Sequence, residues 1–313
     1  MHPATKHSTD PATPGDTPVF YPLDHLAVID ITGSDALNFL QGQGTQDYLK
    51  RLPREPLPGA FCTPKGRVVA NVWNVLLASE PATVKLVTDR SSAETLGRHL
   101  GKYIPFFRGS KLTDQSQALH GLGLHGAQTD SWLTRVLGNS IDGIWHKGGH
   151  FAFHLPDGRA QLWLDALAED YEQLMEQIEH SRVQPPTDWQ RLDILAGYPW
   201  VSASLTGAFV PQSIGLERLD GISFNKGCYT GQEVISRLHY KGQSKRGLQR
   251  LRWHGDAEPE SADIYTQTGT AGTWINWVTG GEHCLGLAMI KQSTETPTLF
   301  LDSERQIPLE LLD

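Results

Sequence analysis

Lys226-Gly227-Cys228-Tyr229-Thr230-Gly231-Gln232-Glu233 sets one thiol between a lysine and the start of an expected helix. Thr230 and Glu233 have the T-x-x-E spacing of a capping box, in which each side chain reaches the other's orphan backbone N–H. That spacing predicts a helix from about Tyr229 to Leu238. Cys228 would then lie near the positive end of the helix dipole and beside the Lys226 ammonium, both of which favour thiolate. Gly227 and Gly231 let the backbone bend and a ligand approach closely. A lone cysteine is also commonly a small buried hydrophobe, and that reading stands beside the reactive one.

Outward from this run, the stretch from Lys226 to Arg252 is basic. Lys226, Arg237, Lys241, Lys245, Arg246, Arg250 and Arg252 face only Glu233 in opposition. In an acidic chain this is either a site for an anionic ligand or a solvated face. Beyond Gly247 the pattern becomes short strands between Gly, Asp and Pro turns: Gln249–Trp253, Ala271–Val278, Cys284–Ile290, Thr298–Leu301 and Ile307–Leu312. Upstream, His25–Ile31 reads as a buried strand, followed by a helix to Leu40 capped by Thr32. A turn-rich stretch with Pro53, Pro56, Pro58 and Gly59 leads to strands at Val68–Leu77 and Val84–Thr88 and a helix near Ser92–Leu100. Strands at Leu119–Leu124, His150–Leu155 and Gln161–Leu164 follow. Ala166–Glu179 carries Leu167, Tyr171, Leu174 and Ile178 on one helical face, and a helix from Asp188 to Ala196 stops at Gly197. The expected fold class is α+β, with a C-terminal β barrel.

The chain has 313 residues, room for two or three domains. Its net charge of −8 gives no overall electrostatic case for direct nucleic-acid binding. Three cysteines without a C-x-x-C argue against a disulfide framework or a self-contained zinc site. Met1 to Thr17 reads as a disordered tail rather than a signal or transit peptide. No apolar run is long enough to span a bilayer, so a cytoplasmic location is expected.

Two further patterns are weak. Gly121-Leu122-Gly123-Leu124-His125-Gly126 matches G-x-G-x-x-G, yet no buried parallel strand precedes it and its Gly/Leu alternation is itself strand-like. His146, His150 and His154 recur every four residues, but Gly148-Gly149 and Phe151-Ala152-Phe153 suggest a strand rather than a metal-binding helix. Trp73, Trp200, Trp253, Trp274 and Trp277 suit packing, and a flat aromatic cofactor could use one or two of them.

Several runs together resemble the YgfZ folate-binding family. They are Phe209-Val210-Pro211-Gln212, Leu216-Glu217, Gly221-Ile222-Ser223-Phe224, the Lys226–Glu233 run, Arg237, Gly242 and Lys245-Arg246. Phe39-Leu40-Gln41-Gly42-Gln43-Gly44-Thr45-Gln46-Asp47, Pro64-Lys65-Gly66-Arg67 and Ala196-Gly197-Tyr198-Pro199 resemble further motifs, shared more loosely with the glycine-cleavage T-protein. The resemblance implies a three-domain cloverleaf around a central hole that binds tetrahydrofolate or another reduced folate. The expected units are residues 18–117, 118–246 and 247–313, with the first two open to interleaving. It also implies a role in assembling or repairing Fe–S clusters in client enzymes, including those that methylthiolate tRNA. A folate-dependent aminomethyltransferase or demethylase, and a non-catalytic adaptor for Fe–S client enzymes, are the alternatives.

On this resemblance Cys228 is the reactive thiol and Lys226 its electrostatic support. Asn71 is placed near the pterin. Tyr229, Gln232 and Glu233 shape the loop, and Arg237 binds an anion or braces Glu233 across one helical turn. Two positions depart from the superfamily pattern. The T-protein's catalytic aspartate is replaced by Ala70-Asn71, which counts against aminomethyl transfer because an amide is no general base. The pterin-contacting glutamate before Ala-Gly is Leu195, with Asp193 the carboxylate nearby in sequence.

Overall fold

The computed structural model describes residues 17–52, 55–242, 246–292 and 297–312. The expected tail up to residue 16, Pro53 and Lys245 lie outside the described residues.

Two antiparallel sheets form the centre. The first runs in the order Leu57–Cys62, Val68–Ser79, Ala82–Asp89, Leu26–Gly33 and Lys111–Asp114. The second runs Val19–Pro22, Leu119–His125, Ala160–Asp165, His150–His154 and Ile144–Lys147. Period-two alternation explains how they stack. In the Leu26–Gly33 strand, Ala27, Ile29 and Ile31 pack with the Ala36–Gln43 and Ala93–Gly101 helices. Leu26 and Val28 point the other way, to Phe151, Phe153 and Trp163 of the second sheet. The second sheet's outer face is covered by the Thr129–Leu137 and Tyr171–Glu179 helices through Trp132, Leu133, Leu174 and Ile178. The layers are therefore helix, sheet, sheet, helix. Val19–Pro22, first in the chain, pairs with Leu119–His125, so the two sheet units interleave.

The third unit is a closed six-stranded barrel: Arg246–Trp253, Cys284–Lys291, Gly269–Val278, Asp263–Thr266, Leu299–Phe300 and Pro308–Leu312. Arg250–Arg252 pairs with Glu310–Leu312 and closes it. The α+β class and the C-terminal barrel agree with the sequence reading.

Some local expectations are corrected. Thr32 still belongs to the Leu26–Gly33 strand, and the next helix starts at Ala36 without a side-chain cap. The Pro-rich stretch contains the Leu57–Cys62 strand; Pro58 is accommodated because this is an edge strand, where a missing N–H costs no ladder bond on the open side. Leu167 is exposed because a turn occupies that region and the helix begins only at Tyr171. Gly121 and Gly123 lie in a strand, where an added Cβ would come within 2.8 Å of Trp163 and 2.2 Å of Trp189. These glycines make room for tryptophans, not for a pyrophosphate. The spaced histidines have separate duties: His150 Nε2 is 2.9 Å from Asp170, and His154 Nε2 is 2.9 Å from Asp130.

Candidate functional site

The Lys226–Glu233 run folds as an anchored loop leading into the Gln232–Lys241 helix. Its capping differs from the expectation. Gly231 stands at the N-cap in a left-handed conformation, with no side-chain cap. Thr230 Oγ1 donates instead to Gln43 Oε1, and Gln232 Oε1 accepts from the Tyr229 N–H at 3.3 Å. The capping box fails because Gly231 has φ +86° and lies against the Thr63–Arg67 turn. An added Cβ there would sit 2.6 Å from the Thr63 carbonyl oxygen, so two motif glycines, Gly231 and Gly66, meet backbone to backbone. A Cβ on Gly227 would meet nothing within 4 Å, so no protein atom demands a glycine there.

Lys226 turns inward. Its Nζ donates to the carbonyls of Gly44 at 2.8 Å and Gln46 at 2.5 Å. It also lies 4.8 Å from the Tyr229 ring centroid and 5.5 Å from that of Tyr48. Burial pushes this lysine down to about 7, against the pull of the Asp47 carboxylate. Two carbonyls and two ring faces favour the ammonium. The hydrogen bonds of the Lys226 ammonium go to backbone oxygens, which gives it an anchoring role beside the support of Cys228 expected of it.

The second anchor is Tyr229, buried with Ala60, Cys62, Val68 and Ile235. The Thr230 N–H donates to the Gly42 carbonyl. Between these anchors Cys228 is exposed, whereas Cys62 and Cys284 are buried. Burial pushes the Cys62 thiol far up, which leaves it inert. Glu233 and Arg237 are exposed on the helix. No hydrogen bond or ion pair joins them among the described residues, so the expected brace is absent; solvent gives such a pair little reason to close. An open groove of about 480 Å³ flanks this loop, with Lys50, Arg51, His239 and Tyr240 on its walls.

A second place draws on all three units. His25 and Asp89 come from the first sheet's ends, Gln190 and Asp193 from the Pro186–Ala196 helix, and Asn276 and Trp277 from the barrel. Tyr198 and Trp200 complete a cleft of about 110 Å³. Trp277 is 39% exposed at its edge. Asp193 is buried, accepting from Trp200 Nε1 at 2.8 Å and lying 2.8 Å from Arg159 Nη2. Burial raises its carboxyl to about 6, although Arg159 opposes this.

Asn71 is not among the residues lining this cleft. It is buried, its Nδ2 donates to the Pro199 carbonyl and its Oδ1 accepts from the Val201 N–H. Asn71 acts as a clamp in this structure, its amide having backbone partners at both ends. Leu195 is 44% exposed, and its carbonyl accepts from Arg250.

No protein-family model matches the chain. It is 32% identical over 255 residues to the tRNA-modifying protein YgfZ of Serratia proteamaculans (strain 568), covering 79% of this chain and 75% of that protein. The chain belongs to the YgfZ family. The crystal structure of the glycine cleavage system aminomethyltransferase T from Bartonella henselae superposes with a TM-score of 0.72. That match covers 95% of this chain and 85% of the other at 15% identity, and shows a shared fold.

The central cleft of this YgfZ-family chain can be tested against a reduced folate. A pterin needs acceptors for its amino and N–H groups and apolar faces for its ring. Asp89, Asp193 and Gln190 offer acceptors, while Trp200 and Trp277 offer faces. His25 contributes two buried ring nitrogens without a hydrogen-bond partner. The residues fit the heterocycle. About 110 Å³ is below the usual range for a drug-sized ligand, a volume that suits a ring head rather than a whole folate. His25, Gln190 and Asn276 were not singled out in the sequence. Their meeting depends on how three units pack.

Proposed function

We propose that this protein binds a reduced folate in the cleft and supports the Fe–S clusters of client enzymes, including those that methylthiolate tRNA. The observation that carries the reading is Cys228: an exposed thiol on a loop fastened by Lys226 on one side and Tyr229 on the other. A purely structural cysteine gains nothing from such presentation. In this reading the thiol handles sulfur or cluster iron as cargo. The cleft binds the folate head through Asp89, Asp193 and Gln190 and stacks it on tryptophan; a bound tetrahydrofolate would supply one-carbon or redox chemistry. The groove beside the loop is the docking face for a client. The name of the Serratia relative and the T-protein-like fold support the tRNA link and the folate.

The test is mass spectrometry of tRNA nucleosides from cells lacking this protein, rescued with wild type or Cys228→Ala. Recovery of methylthiolated adenosines with wild type alone is expected. Equal recovery with both would reject the thiol role and favour an adaptor. No change on deletion would reject the link to methylthiolation.

A further inference from the structure

We propose that His25 is a specificity-determining contact of the interdomain cleft, donating a hydrogen bond from its ring to a carbonyl on the bound heterocycle. This rests on the folate reading of the cleft and assigns it a recognition residue.

The hydrogen bonding of His25 is incomplete. His25 lies on the cleft wall, just before the Leu26–Gly33 strand. Its backbone is fixed, since its carbonyl accepts from the Arg90 N–H at 2.8 Å. Yet neither ring nitrogen has a partner among the described residues, and both are buried. Such groups are normally satisfied, and an apolar side chain would fill this position without the desolvation penalty. A histidine with no internal partner is therefore poorly explained by packing.

The surrounding charges define what it can do. Asp24 and Arg90 are the charged groups that act on the ring. Arg90 is already committed, Nε to the Asp24 carbonyl and Nη1 to the Ser116 carbonyl. Asp89 lies beside His25, paired with Leu26 on the neighbouring strand, and Asp193 and Tyr198 also line the cleft. The two carboxyls suit N–H donors of a ligand. Burial holds the imidazole down to about 4, so the ring is neutral at physiological pH, with one donor and one acceptor. Because no protein group fixes the tautomer, the ligand can. A planar heterocycle with amino and N–H groups beside a ring carbonyl, an aminopyrimidinone edge, would use the carboxyls as acceptors and His25 as donor.

The test titrates wild type, His25→Leu and His25→Asn with 5-formyltetrahydrofolate, reading tryptophan fluorescence. p-Aminobenzoylglutamate, which lacks the heterocycle, is the second probe. Thermal melts confirm that each variant is folded. About tenfold weaker folate binding in His25→Leu is expected, with much of it regained in His25→Asn, whose amide still donates. Binding of p-aminobenzoylglutamate should not change. Equal folate binding by wild type and His25→Leu overturns the role of His25 and leaves the folate reading standing. Equal losses in both variants also overturn it, because shape would then explain the effect. No folate binding by wild type overturns both. If His25→Leu does not fold, nitrogen-15 NMR of the wild-type histidine rings decides: a ligand-induced shift of the His25 ring supports the contact, and no shift rejects it.

Discussion

Asn71 and Asn276 grip one tripeptide from two different units. Asn71, on the Val68–Ser79 strand, bonds the Pro199 carbonyl and the Val201 N–H. Asn276, on the barrel's Gly269–Val278 strand, bonds both the N–H and the carbonyl of Trp200. Side-chain amides here act as short strand partners, and the residue held between them is a wall of the cleft. The clamp joins the first sheet to the barrel through Pro199-Trp200-Val201.

Asn71→Asp tests this clamp against the one-carbon-transfer alternative. The substitution restores a carboxylate at the position where the T-protein pattern has one. Here the new oxygen would face the Pro199 carbonyl, an acceptor, and the donor would be lost. A loss of about 1–3 kcal/mol in unfolding free energy is expected, with no gain of aminomethyl transfer. Denaturant unfolding and turnover assays check both parts. Asn71→Ala and Asn276→Ala share a tripeptide, so their costs should depart from additivity in a double-mutant cycle.

Gly231 and Gly227 should respond oppositely to alanine. Gly231 has φ +86° and no room beside Thr63, so Gly231→Ala combines backbone strain with a clash. A loss of about 2 kcal/mol or more is expected. Gly227 has open space, and Gly227→Ala should stay within about 0.5 kcal/mol of wild type. Chemical denaturation of both variants decides.

These glycines also mark the limit of what could be read from sequence. Strands such as Val68–Ser79 and Ala82–Asp89 were legible because their apolar runs are continuous. The barrel strands were legible from Gly, Asp and Pro punctuation. The Lys226–Glu233 run identified the family, but its internal bonding did not follow from its spacing. Thr230 and Glu233 match a capping box locally, yet Gln43 takes Thr230 from far along the chain. Lys226 and Cys228 are two residues apart, yet carbonyls of Gly44 and Gln46 claim the ammonium. The cleft was illegible for the same reason: His25, Asp193 and Trp277 become neighbours only when three units close.

His25 and Asp193 should pull acid stability in opposite directions. The folded His25 ring is held to about 4 from 6.5, so the unfolded chain binds the extra proton between those values. Its contribution is fully present above about pH 6.5 and is lost as pH falls toward 4, worth on the order of 3 kcal/mol. Asp193 is raised from 3.8 to about 6, so there the folded state binds the extra proton. Its contribution is present below about pH 4 and is lost as pH rises through 6. His25→Leu should therefore gain stability relative to wild type as pH falls from 6.5 to 4. Urea unfolding of both proteins at a series of pH values measures that difference. A difference independent of pH would show that the His25 ring titrates alike in both states.

Thiol labelling separates Lys226 as an anchor from Lys226 as a thiolate partner. In native wild type a maleimide should modify one cysteine, Cys228, because the other two are buried. All three should react in denaturant. Lys226→Met removes the donor shared by the Gly44 and Gln46 carbonyls, and packing cannot replace those bonds. The anchoring role predicts a lower Tm and an unchanged labelling rate for the protein that remains folded. A slower rate at unchanged Tm would instead mean that the ammonium acts on the thiol. Gly44→Ala provides an independent check, because its Cβ would fall within 3 Å of the Tyr48 ring beneath the same ammonium. Displacing Tyr48 would disturb that seat without touching Lys226 itself, so an anchor predicts the same fall in Tm from both variants.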